Sequence, residues 1–186
     1  MSNFPLEGLK VLDFSRVVAG PYATRMMSDL GAEVLKVEPP EGDVTRKLYT
    51  EKGTASGYYQ QLNIGKRNIC VDLKAKGAKE LIHKLAAEAD IVVENFRPGV
   101  LERAGLAPEV MHEWNPDLVI VRISGYGQTG PRSSWPGFGR AGEAMSGLAH
   151  MTGFADNAPM HPGFPAADST TGLMAANGAM MALHAV

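Results

Sequence analysis

The chemistry of this chain starts from one acidic residue. In Pro165-Ala166-Ala167-Asp168-Ser169-Thr170-Thr171-Gly172 a single carboxylate, Asp168, stands at the mouth of what reads as the last helix, and small residues around it leave room for a substrate. Asp is a favoured helix N-cap and Ser-Thr-Thr is ordinary company for one, so capping alone would account for it. A catalytic use is compatible with capping. The dipole and free N–H groups of a helix N-terminus hold a carboxylate ionised, and an ionised carboxylate can attack an acyl carbon. The other reactive side chains carry less. His83, His112 and His184 fall in helical patterns, and none has metal-ligand spacing to another His or Cys, so no metal site is expected. His150 and His161 lie in the loops before Asp168 and read as structural or surface residues, although they could reach its pocket; Glu143 is a second carboxylate that could tune Asp168. Cys70, the single cysteine, sits in an apolar run (Asn68-Ile69-Cys70-Val71) and reads as a buried structural thiol.

The elements that must position Asp168 alternate. Leu9–Phe14, Glu33–Val37, Arg67–Leu73, Ile91–Glu94 and Leu118–Ser124 are short apolar runs suited to buried strands. Helical spacing is read over Tyr22–Leu30, Lys76–Ala89, Val100–Ala104, Pro108–Trp114 and Gly142–Ala149, with Ser15–Pro21 as a turn and Glu38–Gly65 as a long irregular segment. This order predicts an α/β fold: a Rossmann-like, mostly parallel sheet with helices on both faces and no domain boundary inside the chain. Ligands of such sheets sit beyond the C-terminal strand ends, where Ser15–Pro21, Asn95–Gly99 and Gly125–Pro131 fall. The first βαβ unit lacks the G-x-G-x-x-G fingerprint, which argues against NAD or FAD. Asn95-Phe96 at a strand end is favoured as a ligand contact, or is a turn-former plus a core aromatic. Lys74 and Arg103 are plausible fixed cations for phosphates, though Lys74 could be a solvated lysine and Arg103 could pair with Glu102 or Glu109.

Bulk numbers bound the class. The 186 residues are 45% hydrophobic and 20% charged with net charge -2, which suits an ordinary globular protein and gives no basic footprint for nucleic acid. No stretch approaches the about 18 apolar residues of a membrane span, and Met-Ser-Asn-Phe-Pro has neither the basic nor the apolar region of a signal peptide, so the expected compartment is the cytoplasm. Gly172–Val186 is apolar nearly all round and uncapped, which reads as a buried helix in an incomplete chain, or one covered by a second polypeptide.

Taken in order, the motifs resemble the N-terminal half of a family III CoA-transferase, the group that includes formyl-CoA transferase, the carnitine CoA-transferase and α-methylacyl-CoA racemase. The resemblance is carried by Leu12-Asp13-Phe14-Ser15-Arg16-Val17-Val18-Ala19-Gly20-Pro21, Leu30-Gly31-Ala32-Glu33-Val34-Leu35-Lys36-Val37-Glu38, Gly42-Asp43, Asn63, Lys66-Arg67-Asn68, Asp72-Leu73-Lys74, Val93-Glu94-Asn95-Phe96-Arg97-Pro98-Gly99, Gly125-Tyr126-Gly127-Gln128-Thr129-Gly130-Pro131, and Asp168 with Gly172. It implies that residues 1–186 are the N-terminal portion of a CoA-binding large domain. It also implies that Asp168 is the catalytic aspartate and that Val17, Val18 and Ala19 lie along CoA. Val71 and Lys74 then fall near the adenine end and its phosphates, and Asn95, Phe96, Val100 and Arg103 hold nucleotide and pantetheine. The implied activity is transfer of CoA from an acyl-CoA to a small carboxylic acid through an aspartyl-CoA thioester, with CoA as substrate rather than permanent cofactor. The implied assembly is an interlocked homodimer, or association with a chain supplying the missing half. A racemase-like enzyme is one alternative; it would place a His-Asp pair where this chain has Gly137-Phe138-Gly139. The other is a truncated or partner-dependent chain without activity of its own.

Overall fold

A computed structural model describes residues 4–50 and 55–186. Five parallel strands form one sheet: β1 (Lys10–Asp13), β2 (Glu33–Glu38), β3 (Arg67–Cys70), β4 (Ile91–Glu94) and β5 (Val119–Arg122), in spatial order β3-β2-β1-β4-β5. The chain builds outward from β1 through β2 to β3, then returns to the other side of β1 with β4 and β5. The strand order therefore reverses between β1 and β4, where the register pairs Leu12 with Val92.

Period-2 alternation explains both layers of the core. Val11, Val34, Ile91 and Val93 point to one face and meet Met27 of α1 (Ala19–Asp29) and Ala179 of the last helix. Leu12, Val37 and Val92 point to the other and meet Ile82, Leu101 and Met111. These come from α3 (Ala78–Ala86), α4 (Val100–Arg103) and α5 (Pro108–Trp114). The helices α6 (Gly139–Met145) and α7 (Leu148–Met151) precede α8 (Ala166–Leu183). The fold is thus the expected α/β sandwich.

Several details differ from the sequence reading. The first helix starts at Ala19, not Tyr22, because Pro21 fits the first turn, where no N–H partner is needed. The irregular segment 38–65 contains a 3₁₀ turn (Val44–Lys47) and α2 (Gly57–Asn63), the latter capped by Ser56, which accepts from Tyr59 N; residues 51–54 of it lie outside the described residues, as do the first three of the N-terminal stretch. The helix expected over 142–149 is two helices broken at Gly147, whose φ of 83° is left-handed. Cys70 is exposed, not buried, because β3 is the edge strand. The apolar last helix is buried on one side only. Gly172 and Ala179 face α1, whereas Leu173, Met174 and Met181 are exposed. Among the described residues no helix is long and apolar enough to cross a membrane.

Candidate active site

The loop after β1 is fixed from beneath by buried charges. A charged residue inside a parallel strand must be paired, and Asp13 and Lys36 both are. Asp13, fully buried, accepts from Ser15 N (2.8 Å), Thr24 Oγ1 (2.6 Å) and Lys66 Nζ (3.1 Å), and from the Ser15 hydroxyl. Lys66 also donates to the Pro21 carbonyl and Asn63 Oδ1. Lys36 donates to the Ser15 carbonyl (2.6 Å) and lies 3.4 Å from Asp43 Oδ2. Asp43 accepts from Val17 N (3.1 Å) and from both the amide and hydroxyl of Thr45. Burial would raise the Asp13 carboxyl, but Lys66, Lys36 and the two hydroxyls outweigh it and bring it to about 2. Burial dominates at Lys66, which Asp13 pulls up and Lys36 pushes down, and it falls to about 8.

This network holds one strained residue. Val17 has φ 68°, a conformation that costs a β-branched side chain about 1–3 kcal/mol. The Asp43 carboxylate pins its amide, so the loop is set before any ligand arrives.

The loop after β4 is tied to the first. Asn95 accepts from Arg16 N (2.8 Å) and donates to the Arg16 carbonyl (2.7 Å), bridging the two strand ends where the topology reverses. Buried Glu94 accepts from Phe96 N (2.7 Å) and Arg122 Nε (2.8 Å), and Arg122 also grips Glu102. Burial pushes Glu94 up despite Arg122. The Arg16 guanidinium lies 5.6 Å from the centre of the Phe96 ring.

Two hollows open on these loops and share Arg16, Phe96 and Val100. The larger, about 830 Å³, is lined also by Val71, Lys74, Arg103 and the Pro39-Pro40 turn. The smaller, about 440 Å³, is lined also by Val17, Val18, Asn95, Gly139 and Asp168. The structure therefore brings Val17, Val18, Asn95, Phe96 and Val100 beside Asp168, and Val71, Lys74 and Arg103 into the adjoining hollow. Ala19 lines neither; it is buried behind the loop, against Gly172 of α8. Among the described residues Arg103 forms no ion pair, and Glu102 is taken by Arg122.

Asp168 is the third residue of α8, not its cap. The N-cap is Pro165, and no side chain caps the helix. Its carboxylate lies against the backbone of Gly139, where a Cβ would collide with it. Burial first, then the charge of Glu143, raises the Asp168 carboxyl above its ordinary value, against the pull toward the ionised form expected from a helix end. Glu143 is itself buried and receives a hydrogen bond at 2.8 Å from His161 Nδ1. On another side stands Tyr58 of α2, whose phenol is raised by burial, by Asp168 and by Tyr49, with the Tyr49 ring edge-on at 5.8 Å.

Sequence reasoning gave no role to Asp13, Lys36, Asp43, Lys66 or Tyr58. A signal existed for the first two, since each is a charge within or at the end of an apolar strand; Tyr58 had none, lying in a segment read as irregular. Among the described residues no three His, Cys, Asp or Glu side chains cluster to hold a metal.

The fold and cleft define an α/β protein with a half-buried carboxylate beside a groove at a topological switch point. Comparison with known proteins names the group. The family described as CoA-transferase family III matches residues 6–186, and the chain belongs to it. The chain is 46% identical to human succinyl-CoA:glutarate CoA-transferase over 185 residues, 98% of this chain and 42% of that protein. It is 42% identical to a succinyl-CoA–D-citramalate CoA-transferase of Chloroflexus aurantiacus over 183 residues, 97% of this chain and 45% of that protein. A crystal structure of a CAIB/BAIF family protein from Brucella suis superposes with a TM-score of 0.94 at 39% identity, covering 98% of this chain and 50% of that one. The chain thus spans about half the length of the relatives it matches.

Proposed function

We propose that the protein transfers CoA from an acyl-CoA to a carboxylic acid, with Asp168 as nucleophile and CoA as substrate. The observation that carries this is the seat of Asp168: a desolvated carboxylate on the smaller hollow, which shares Arg16, Phe96 and Val100 with a larger one beside Lys74 and Arg103. An Asp168 oxygen attacks the thioester carbon, giving a mixed anhydride and releasing CoA thiolate. The thiolate attacks the aspartyl carbonyl, frees the donor acid and leaves an aspartyl-CoA thioester. The acceptor carboxylate attacks that thioester, and the released thiolate takes the acceptor acyl group from the second anhydride, which restores Asp168. Each step exchanges one acyl bond for another, so no external energy source is needed.

Lys74 and Arg103 meet the phosphates by charge-assisted hydrogen bonds. Phe96 and Val100, which line both hollows, take the pantetheine, Val71 lies beside the nucleotide in the larger one, and Val17, Val18 and Asn95 border the thioester end; Ala19 supports that loop from behind. The relatives' names point to succinyl-CoA as donor and a dicarboxylic acid as acceptor. They also favour transfer over racemisation, as does the Gly137-Phe138-Gly139 stretch, which supplies no proton-shuttling His. The exposed apolar side of α8 (Leu173, Met174, Met181) suits a homodimer or a further polypeptide covering it, in the cytoplasm.

The test is chemical trapping. The protein incubated with succinyl-CoA and then hydroxylamine or borohydride should carry its modification on Asp168, located by mass. Asp168→Ala should lose transfer yet retain CoA binding. Retained turnover, or a modification elsewhere, refutes the reading.

A further inference from the structure

A second carboxylate sits behind the first. Gly139 touches Asp168, and Glu143 is one helical turn further along α6, on the same face. Gly142, beside Glu143, packs on Ala167, beside Asp168. Glu143 is only 2% exposed, and among the described residues its carboxylate has one hydrogen-bond partner, His161 Nδ1 at 2.8 Å. His161 belongs to the segment between α7 and α8, and its side chain is 36% exposed, so its ring is open to solvent. A buried carboxylate needs a counter-charge or a proton of its own. Among the described residues the His161 ring is the side chain placed to supply one or the other.

We propose that His161 is a positioning residue which, by compensating Glu143, keeps the carboxylate of Asp168 free to ionise. The other ionisable groups on elements packed around α6 do not compete for Glu143. His150 of α7, Asp156 of the connecting segment and Arg140 of α6 itself are all exposed, and none pairs with it among the described residues. Tyr58, facing Asp168 from α2, is neutral over the acid range. A positive charge on His161 would offset that of Glu143, the one carboxylate that bears on Asp168. Without it, two carboxylates on adjoining helices share one site and take up their first proton at higher pH.

The consequence for rate rests on Asp168 being the nucleophile; the titration does not. The experiment follows the carboxyl carbon of Asp168 by 13C NMR in protein labelled at aspartate, the signal being assigned by its loss in Asp168→Asn. His161→Gln should raise the Asp168 midpoint by about one pH unit, a tenfold loss of ionised form below it. Glu143→Gln should lower the midpoint. The double variant should behave like Glu143→Gln alone, since His161 acts only through Glu143. His161→Lys, a fixed cation, should bring the midpoint back to the wild-type value or below. An unmoved midpoint in His161→Gln, or an equal rise in the double variant, overturns the proposal. These outcomes hold whether or not transfer is observed, while the acid limb of kcat/KM tracks the same midpoint only in a working transferase.

Discussion

Replacing Asp13 by Asn tests whether the buried charges set the first loop. The side chain keeps its shape and most of its hydrogen-bonding capacity but loses its charge. In the folded protein the carboxyl is held at about 2 against an ordinary 3.8, which corresponds to about 2–3 kcal/mol of stability. Stranding the buried partner would ordinarily cost about 3–5 kcal/mol. Lys66 limits that cost, because burial already holds it at about 8 and the loss of Asp13 pushes it further toward its neutral form. The expected loss is therefore about 2–3 kcal/mol, or about 5–10 °C in melting temperature for a unit of this size. The pH dependence follows from the sign of the shift. A folded-state value below the unfolded one gives stability that is present above 3.8 and lost as pH falls through about 2. Melting curves of wild type and Asp13→Asn should differ fully at pH 6 and converge toward pH 2. An equal gap at both ends, or none at pH 6, refutes the view that Asp13 ionisation holds this loop.

Two other substitutions separate chemistry from binding. Gly139→Ala pushes a methyl group into the Asp168 carboxylate, so kcat should fall about 100-fold, the usual effect of misplacing a reacting group by about 1 Å; a normal kcat would show that Asp168 does not need this seat. Lys74→Ala and Arg103→Ala should each raise KM for acyl-CoA about tenfold while kcat stays within about twofold, as expected for loss of a charge-assisted hydrogen bond made equally in ground and transition states. Steady-state kinetics checks both.

The fold was legible because alternating apolar strands and helices leave few arrangements. Val11 and Leu12, or Val92 and Val93, must face opposite layers, and two covered faces follow. The motif residues Asp168, Asn95 and Phe96 were legible as candidates because they fall at strand ends or at a helix mouth. What decides their environment was not. The raised carboxyl of Asp168 depends on Gly139 and Glu143, which are 29 and 25 residues away in sequence and meet it only through helix packing. A helix-end argument sees the dipole and not the desolvation. Likewise Val17 reads as an ordinary loop valine; only its φ of 68° and the carboxylate of Asp43, 26 residues on, mark it as held under strain. Cys70 misled for the converse reason, since an apolar run does not say whether its strand lies at the edge of the sheet.

The strained loop and the nucleophile share one mount, and this gives a separate test. Val17 directly precedes Val18, the N-cap of α1, and α8 rests on α1 where Gly172 meets the Ala19 carbonyl: a Cβ on Gly172 would lie 2.6 Å from that oxygen and 2.9 Å from Tyr22 Cδ1. Both obstacles are on a packed helix, one of them backbone, so α8 rather than α1 must give way. Gly172→Ala should therefore lift the first turn of α8, and Asp168 with it, away from the loop, while the hollow lined by Val71, Lys74 and Arg103 is untouched. Overpacking of this kind costs about 1–3 kcal/mol. The kinetic signature should be a fall in kcat of about 10- to 100-fold with KM for acyl-CoA nearly unchanged. A raised KM with unaltered kcat would mean that α8 positions the nucleotide and not the reacting carboxylate, and the assignment of Asp168 to the chemical step would fail with it.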